Sequence, residues 1–150
     1  MGLSRGMGPR VVLAVVALHM VACATMGDPP PTLYKRLGGR EGIALVVGDF
    51  VTNMAGDSRV NARFKDMKAA DVEKLKSNLA DQICDATGGP CSYLGRDMKT
   101  THQGMKITEA EWTATVENFS KALDKNQISV KDKSEVLGML GPMKADIVGR

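Results

Sequence analysis

Apolar residues recur at helical spacing through most of the chain, and this periodicity restricts the fold more than any other feature of the sequence. The first run occupies positions i, i+3, i+4, i+7, i+8 and i+11; its members are Ile43, Val46, Val47, Phe50, Val51 and Met54. That spacing places them on one face of a helix of about 14 residues.

Three further runs show the same period. They are Val72, Leu75, Leu79 and Ile83; Trp112, Val116, Phe119 and Leu123; and Val136, Leu137, Leu140, Met143 and Ile147. Thr108 and Glu111 precede the second of these at the spacing of a capping box. Pro142 lies inside the last run, and we expect it to kink that helix. Because no segment alternates convincingly with period two, the predicted fold class is all-α.

Glycines separate the predicted helices. Gly38-Gly39 allows a short first helix to turn sharply into the second, and Gly88-Gly89-Pro90 ends the helix that carries Leu75 and Leu79. Between Cys91 and Thr108 the pattern indicates only one short helix, near residues 97–103. Loosely structured stretches of this length inside a compact domain are usually functional or disordered.

Residues 1–22 have the three parts of an export signal. Arg5 and Arg10 give a charged start, and an apolar run follows from Val11 to Val21, broken only by His19. The run is well short of the roughly 20 residues that a membrane-spanning helix needs. Small residues follow it, as at a signal cleavage site.

The motif Met20-Val21-Ala22-Cys23 resembles the lipobox of bacterial lipoproteins, although leucine usually stands where this chain has Met20. We therefore expect a signal peptide at 1–22, an acylated Cys23 with a proline-rich spacer at 23–32, and a folded domain at 33–150. Ala24 after the cysteine predicts the outer membrane, if the organism has one. A cleaved signal without lipid and an uncleaved anchor are the alternatives.

The charge balance argues against nucleic acid as a partner. The chain has 20 Lys and Arg residues, of which Arg5 and Arg10 lie in the predicted signal, against 17 Asp and Glu residues. The exported chain is thus close to neutral. No basic cluster is interleaved with aromatic residues, so the electrostatic pattern of nucleic-acid binding is missing.

Once Cys23 is assigned to the lipid, Cys84 and Cys91 remain as an even pair. They bracket a turn-rich segment, and in an oxidising compartment we expect them to form a disulfide. A metal or redox dithiol site is the alternative, but six intervening residues fit neither ordinary zinc spacing nor a C-x-x-C motif.

His102 is the one histidine left after the predicted signal is removed. A single histidine in a helical protein is most often a surface or hydrogen-bonded residue. It cannot build a zinc site with several histidines, but one histidine can hold a haem iron from one side. The residues alone leave these readings open.

Four stretches form a further pattern: Leu33-Tyr34-Lys35-Arg36-Leu37-Gly38-Gly39; Gly88-Gly89-Pro90; Tyr93, Gly95 and Met98; and His102-Gln103-Gly104-Met105-Lys106-Ile107-Thr108. In this order and spacing they resemble group I truncated haemoglobins, and the resemblance runs from Leu33 to about Val148. The resemblance implies a two-over-two helical sandwich that holds haem b without covalent attachment. It also implies that His102 is the proximal iron ligand through a neutral imidazole nitrogen.

The resemblance suggests further contacts with the haem. Phe64 matches a phenylalanine that packs on the haem face, and Tyr93 matches a tyrosine near the haem edge. Lys74, and more weakly Lys99, fall where a basic residue can reach a propionate. Met98, Val116 and Leu140 complete the predicted cofactor-binding set.

The distal side departs from the family pattern, in which a tyrosine follows a phenylalanine on the second helix and a glutamine often faces it. Here Val51 follows Phe50, and alignment on Gly88-Gly89-Pro90 gives Leu75 and Leu79 as the facing residues. None of the three can donate a hydrogen bond. We therefore expect an apolar pocket, five-coordinate ferrous iron, and faster oxygen release than in tyrosine-bearing relatives.

The leading functional hypothesis is reversible binding of oxygen, nitric oxide or carbon monoxide outside the cytoplasm. Nitric oxide dioxygenase-type or peroxidase-like activity is an enzymatic alternative, and any dioxygenase would need a separate extracytoplasmic electron donor. A haem sensor or electron-transfer lipoprotein is another alternative, and a haem-free surface lipoprotein is the last.

Overall fold

The structure is a computed structural model that describes residues 1–2 and 29–150. The expected signal peptide, the lipobox and Cys23 lie outside the described residues. Within the described part of the chain, no helix is long and apolar enough to cross a membrane.

Residues 29–150 form helices joined by turns, which confirms the all-α prediction. The α-helices are α1 (Leu33–Arg36), α2 (Gly39–Gly56), α3 (Ala69–Ala86), α4 (Met98–His102), α5 (Glu109–Lys125), α6 (Val130–Gly138) and α7 (Lys144–Ile147). Single 3-10 turns occur at Asn61–Arg63 and Gly141–Met143. The extended pairing found in this range is one isolated bridge between Ile107 and Val148.

Helix α2 is central, since its most extensive contacts are with α5 and α3. Its apolar stripe is buried, as the periodicity predicts: Ile43, Val46, Val47, Val51 and Met54. The rings of Phe50 and Phe119 meet edge to face with centroids 5.2 Å apart, which fixes α2 against α5. The helices therefore pack around a main apolar cluster and a second, smaller one formed by Met54, Val60 and Ala114.

Backbone geometry at the start of the domain explains two of the glycines. Gly38 has φ of +85° and Gly39 has φ of +66°, which side chains disfavour, and these residues turn α1 into α2. A Cβ atom at Gly42 would lie only 2.1 Å from the carbonyl oxygen of Leu37. The absence of a side chain there lets α1 lie directly against α2.

Pro142 has a stronger effect than the sequence analysis expects. The last apolar run is not one kinked helix: α6 ends at Gly138, Pro142 lies in a 3-10 turn, and α7 begins at Lys144. Proline has no N–H to donate and its ring clashes with the carbonyl four residues earlier, so the α-helix stops before it. The C-terminal segment is thereby divided into short pieces, the last of which, α7, contacts α4.

Candidate functional site

The large cavity among the described residues has a volume of about 260 Å³. Its walls come from α2 and α3, from α4 and α5, and from the C-terminal pieces between Val136 and Ile147. Most of the lining side chains are aliphatic, aromatic or methionine. Such an apolar space suits a flat hydrophobic ligand.

Eight of the ten residues predicted to contact a cofactor lie in the wall of this cavity: His102, Phe64, Leu75, Leu79, Val51, Met98, Val116 and Leu140. The other two, Lys74 and Tyr93, are not among the lining residues, nor is Lys99. The Tyr93 hydroxyl instead donates a hydrogen bond to the carbonyl oxygen of Arg96, at 2.8 Å. The roles assigned to these residues stay predictions.

His102 is the last residue of α4, and its ring has one nitrogen engaged. Nδ1 lies 2.8 Å from the carbonyl oxygen of Met98, one turn back along the helix. Because a carbonyl oxygen only accepts, Nδ1 is the donor in this contact, and in the neutral imidazole this tautomer leaves the lone pair of Nε2 available to a metal. The Asp97 carboxylate caps α4 by accepting the Thr100 N–H at 2.8 Å, and this bond lowers the pKa of Asp97.

The three predicted distal residues line the cavity, and Val51 is 5% exposed. The wall also contains Gln82, which the sequence analysis missed, one helical turn beyond Leu79. Its position three residues after Leu79 is the sequence signal that could have found it. A second missed polar residue, Thr115, donates its hydroxyl to the carbonyl oxygen of Glu111 and is already satisfied.

An ion pair that the sequence analysis also missed lies in the cavity wall. Arg63 Nε donates to Glu111 Oε1 at 2.8 Å, and Arg63 Nη1 donates to the carbonyl oxygen of Met105 at 2.8 Å. The other oxygen of Glu111 accepts from the backbone N–H and the hydroxyl of Thr108. These bonds lower the pKa of Glu111 from 4.5 to about 2, and the bond from Arg63 has the largest effect.

Cys84 and Cys91 form a disulfide in the structure. Cys84 is fully buried on α3, and Cys91 lies in the segment that leads to α4. A Cβ atom at Gly89 would lie 2.5 Å from Cys84 Sγ and 2.6 Å from Tyr34 Cδ2. The disulfide thus joins the helix bearing Leu79 to the segment that precedes His102, across a turn that only glycine fits.

The chemistry of the wall fits haem. A porphyrin needs two extensive apolar faces, and its iron brings four ring nitrogens of its own, so one imidazole is enough to hold it from the protein side. The cavity supplies apolar walls and one histidine with an uncommitted Nε2. His102, Phe64, Leu75, Leu79 and Val51 are the residues that would contact the group.

The model of the bacterial-like globin family matches residues 32–148. A group 1 truncated haemoglobin of Mycolicibacterium paratuberculosis is 29% identical over 118 residues, which are 79% of this chain and 85% of the relative. A group 1 truncated haemoglobin of Tetrahymena pyriformis is 26% identical over 123 residues, or 82% of this chain and 99% of the relative.

Solved structures resemble the whole domain. The truncated haemoglobin of Tetrahymena pyriformis in its Fe(III) form has a TM-score of 0.74 and 25% identity, covering 80% of this chain and 100% of that one. The 2/2 haemoglobin of Synechococcus, solved in the cyanomet state with covalently attached haem, has a TM-score of 0.72 and 28% identity over the same shares. The fold and the family match agree: the chain belongs to the bacterial-like globin family, has the two-over-two globin fold, and takes haem with iron as its cofactor.

Proposed function

We propose that this protein binds a diatomic gas reversibly at a haem whose proximal ligand is His102, outside the cytoplasm. Haem and gas binding follow from the family. The observation that carries the finer assignment is the 2.8 Å hydrogen bond from His102 Nδ1 to the Met98 carbonyl oxygen, in the wall of the apolar cavity. It fixes the tautomer that a metal requires and orients the ring.

When bound, the haem iron supplies a coordination position for a gas such as oxygen, nitric oxide or carbon monoxide. The chain's residues set the polarity around that position. Val51, Leu75 and Leu79 present only hydrocarbon, so they exclude water and donate no hydrogen bond to the ligand. A polar ligand such as oxygen is held less tightly beside these three side chains than beside a donor such as tyrosine, whereas carbon monoxide is affected little. The amide of Gln82 lies in the same wall, one helical turn beyond Leu79.

Reversibility is tested directly by absorption spectroscopy. The purified protein, loaded with haem and reduced, is exposed to carbon monoxide and separately to oxygen, and each gas is then removed. We expect a distinct shift of the Soret band with each gas and a return to the starting spectrum after removal. Failure of haem-loaded, reduced protein to take up either gas would contradict the proposal.

The location outside the cytoplasm rests on the sequence of residues 1–23 alone. The full-length chain is expressed in a bacterial host supplied with labelled palmitate, and the membranes are separated. We expect label and membrane association in the natural chain and in a Cys84→Ala/Cys91→Ala variant, and neither label nor lipid-dependent association after Cys23→Ala. An unlabelled natural chain in the soluble fraction would contradict the lipid anchor.

A further inference from the structure

We propose that Arg63 binds a carboxylate of the cofactor, one of the two propionates of haem, at the mouth of the cavity. The inference deepens the cofactor site and rests on haem occupying this cavity. It does not depend on which residue ligates the iron.

The first observation is the identity of the cationic residues in the wall. Of all the Lys and Arg side chains among the described residues, only Arg63 lines the cavity. Lys74 and Lys99, which the sequence analysis suggests for this role, do not line it. Arg63 is therefore the cation that a propionate extending from a bound haem would contact.

The second observation is that the Arg63 guanidinium is held in position but has donors left. Nε is committed to Glu111, and Nη1 donates to the carbonyl oxygen of Met105. No hydrogen bond from Nη2 occurs among the contacts of the described residues. A guanidinium has five N–H donors in a rigid fork, so two bonds fix its plane while others remain for a carboxylate.

The third observation is that the Arg63 side chain is partly exposed to solvent. The Arg63 side chain lines the cavity and is also 34% exposed, so it is accessible both from the cavity and from solvent. A propionate cannot be buried in the apolar interior without a large desolvation cost, and haem must therefore direct its carboxylates to such an edge. Charge-assisted hydrogen bonds between a guanidinium and a carboxylate are among the stronger polar contacts in proteins.

Glu111 limits how this contact can work. Its ionised carboxylate is paired with Arg63, so the pair together has no net charge and cannot attract a propionate by long-range charge alone. The binding must come from directed N–H bonds at short range. Replacing Arg63 by Lys, which keeps the charge but loses the fork, should therefore recover little of the contact.

The alternative is that Arg63 only braces the wall through Glu111 and Met105. The experiment separates the two by comparing haem with haem dimethyl ester, in which both propionates are masked. Haem loss to an excess of a haem-scavenging apoprotein is followed at the Soret band for the natural chain, for Arg63→Met, and for Lys74→Met, which removes the rival cation that the resemblance suggests. The matched control is Lys65→Met, because Lys65 is exposed and does not line the cavity.

We expect Arg63→Met to speed the loss of haem about ten-fold or more, as the removal of a charge-assisted bond should. It should not change the loss of the dimethyl ester, which the natural chain itself should release faster than haem. Lys74→Met and Lys65→Met should release haem and the dimethyl ester at the rates of the natural chain. Arg63→Lys should release haem nearly as fast as Arg63→Met.

Equal acceleration of haem and ester loss in Arg63→Met would show that Arg63 is only a brace and would overturn the proposal. So would an unchanged rate with haem, or an ester-sensitive effect at Lys74 in place of Arg63. A natural chain that gives no Soret band with haem would instead overturn the haem assignment itself. If His102 is not the iron ligand, the absorption spectrum shows this separately. The difference between the rates of haem loss and ester loss would then remain.

Discussion

The Nδ1 atom of His102 donates to the carbonyl oxygen of Met98 over 2.8 Å, within a helix of five residues. The bond joins the last residue of α4 to its first. It therefore links the fold of the short helix to the orientation of the ring, because Met98 and His102 lie one turn apart only while α4 is formed. Asp97 stabilises the same helix, because its carboxylate accepts the Thr100 N–H at the start of α4.

Introducing a hydroxyl at Val51 should slow the release of oxygen. Val51 is buried in the cavity wall, and Val51→Tyr places a donor where the chain now has hydrocarbon. A hydrogen bond to a ligand with partial charge contributes roughly 1.5–3 kcal/mol, or about a 10- to 100-fold slower rate. Stopped-flow dissociation rates for oxygen and carbon monoxide measure it.

The matched control for this substitution is Val51→Phe, which adds the ring without the hydroxyl. Carbon monoxide release should be similar in the two variants. Oxygen release from Val51→Tyr as fast as from Val51→Phe would contradict the claim that this position faces the ligand.

Removing the disulfide should lower stability without abolishing the fold. The bridge closes a short loop at the end of α3, and the chain-entropy estimate for such a loop is about 2.5 kcal/mol. For a domain of this size we expect Cys84→Ala/Cys91→Ala to lower Tm by roughly 8–15 °C. Thermal unfolding measures this, and the natural chain treated with a thiol reductant should melt lower as well. A Tm unchanged by both treatments would contradict a structural role.

Glu111 should make stability depend on acid pH. Its pKa is lowered from 4.5 to about 2 in the folded protein, so the ionised carboxylate stabilises the fold fully above pH 4.5 and loses this contribution as the pH falls towards 2. Glu111→Gln has no such titration. The difference in the free energy of unfolding between the natural chain and this variant should be constant above about pH 5 and shrink below it.

Denaturant unfolding of both proteins at several pH values between 6 and 2.5 measures that difference. Other carboxylates with lowered pKa, including Asp57 beside Arg59, are present in both proteins and cancel. A difference that does not change with pH would show that the Arg63–Glu111 pair does not perturb Glu111.

The helices could be predicted because their signal is local. Burial of a stripe at period 3.6 requires only that one face of each helix meets the core. The stripe from Ile43 to Met54 follows that rule, and the members of the stripe from Val72 to Ile83 are partly buried against the core. The capping box at Thr108 is likewise a contact between residues three apart, and both of its bonds are formed. The kink predicted at Pro142 is wrong, because the helix ends at Gly138 and a new one begins at Lys144. The pattern does not say whether a helix continues through a proline.

The cavity residues that belong to the apolar stripes of α2 and α3 could be predicted from the sequence. Val51, Leu75 and Leu79 line the cavity because residues on the buried faces of α2 and α3 converge there. Arg63 and Glu111 were missed because their pairing joins residues 48 positions apart, which no local pattern encodes. Lys74 was suggested from alignment alone, and a one-dimensional match does not tell which side of α3 faces the cavity.

The most direct test of the account is the ferrous absorption spectrum of His102→Gly with and without added imidazole. If His102 is the proximal ligand, the variant loses the spectrum of five-coordinate, histidine-ligated iron that the natural chain should show, and free imidazole at millimolar concentration restores it by filling the vacated space. The rate of haem loss should rise in the variant and fall again with imidazole. A His102→Gly protein whose ferrous spectrum and rate of haem loss match those of the natural chain would contradict the central claim.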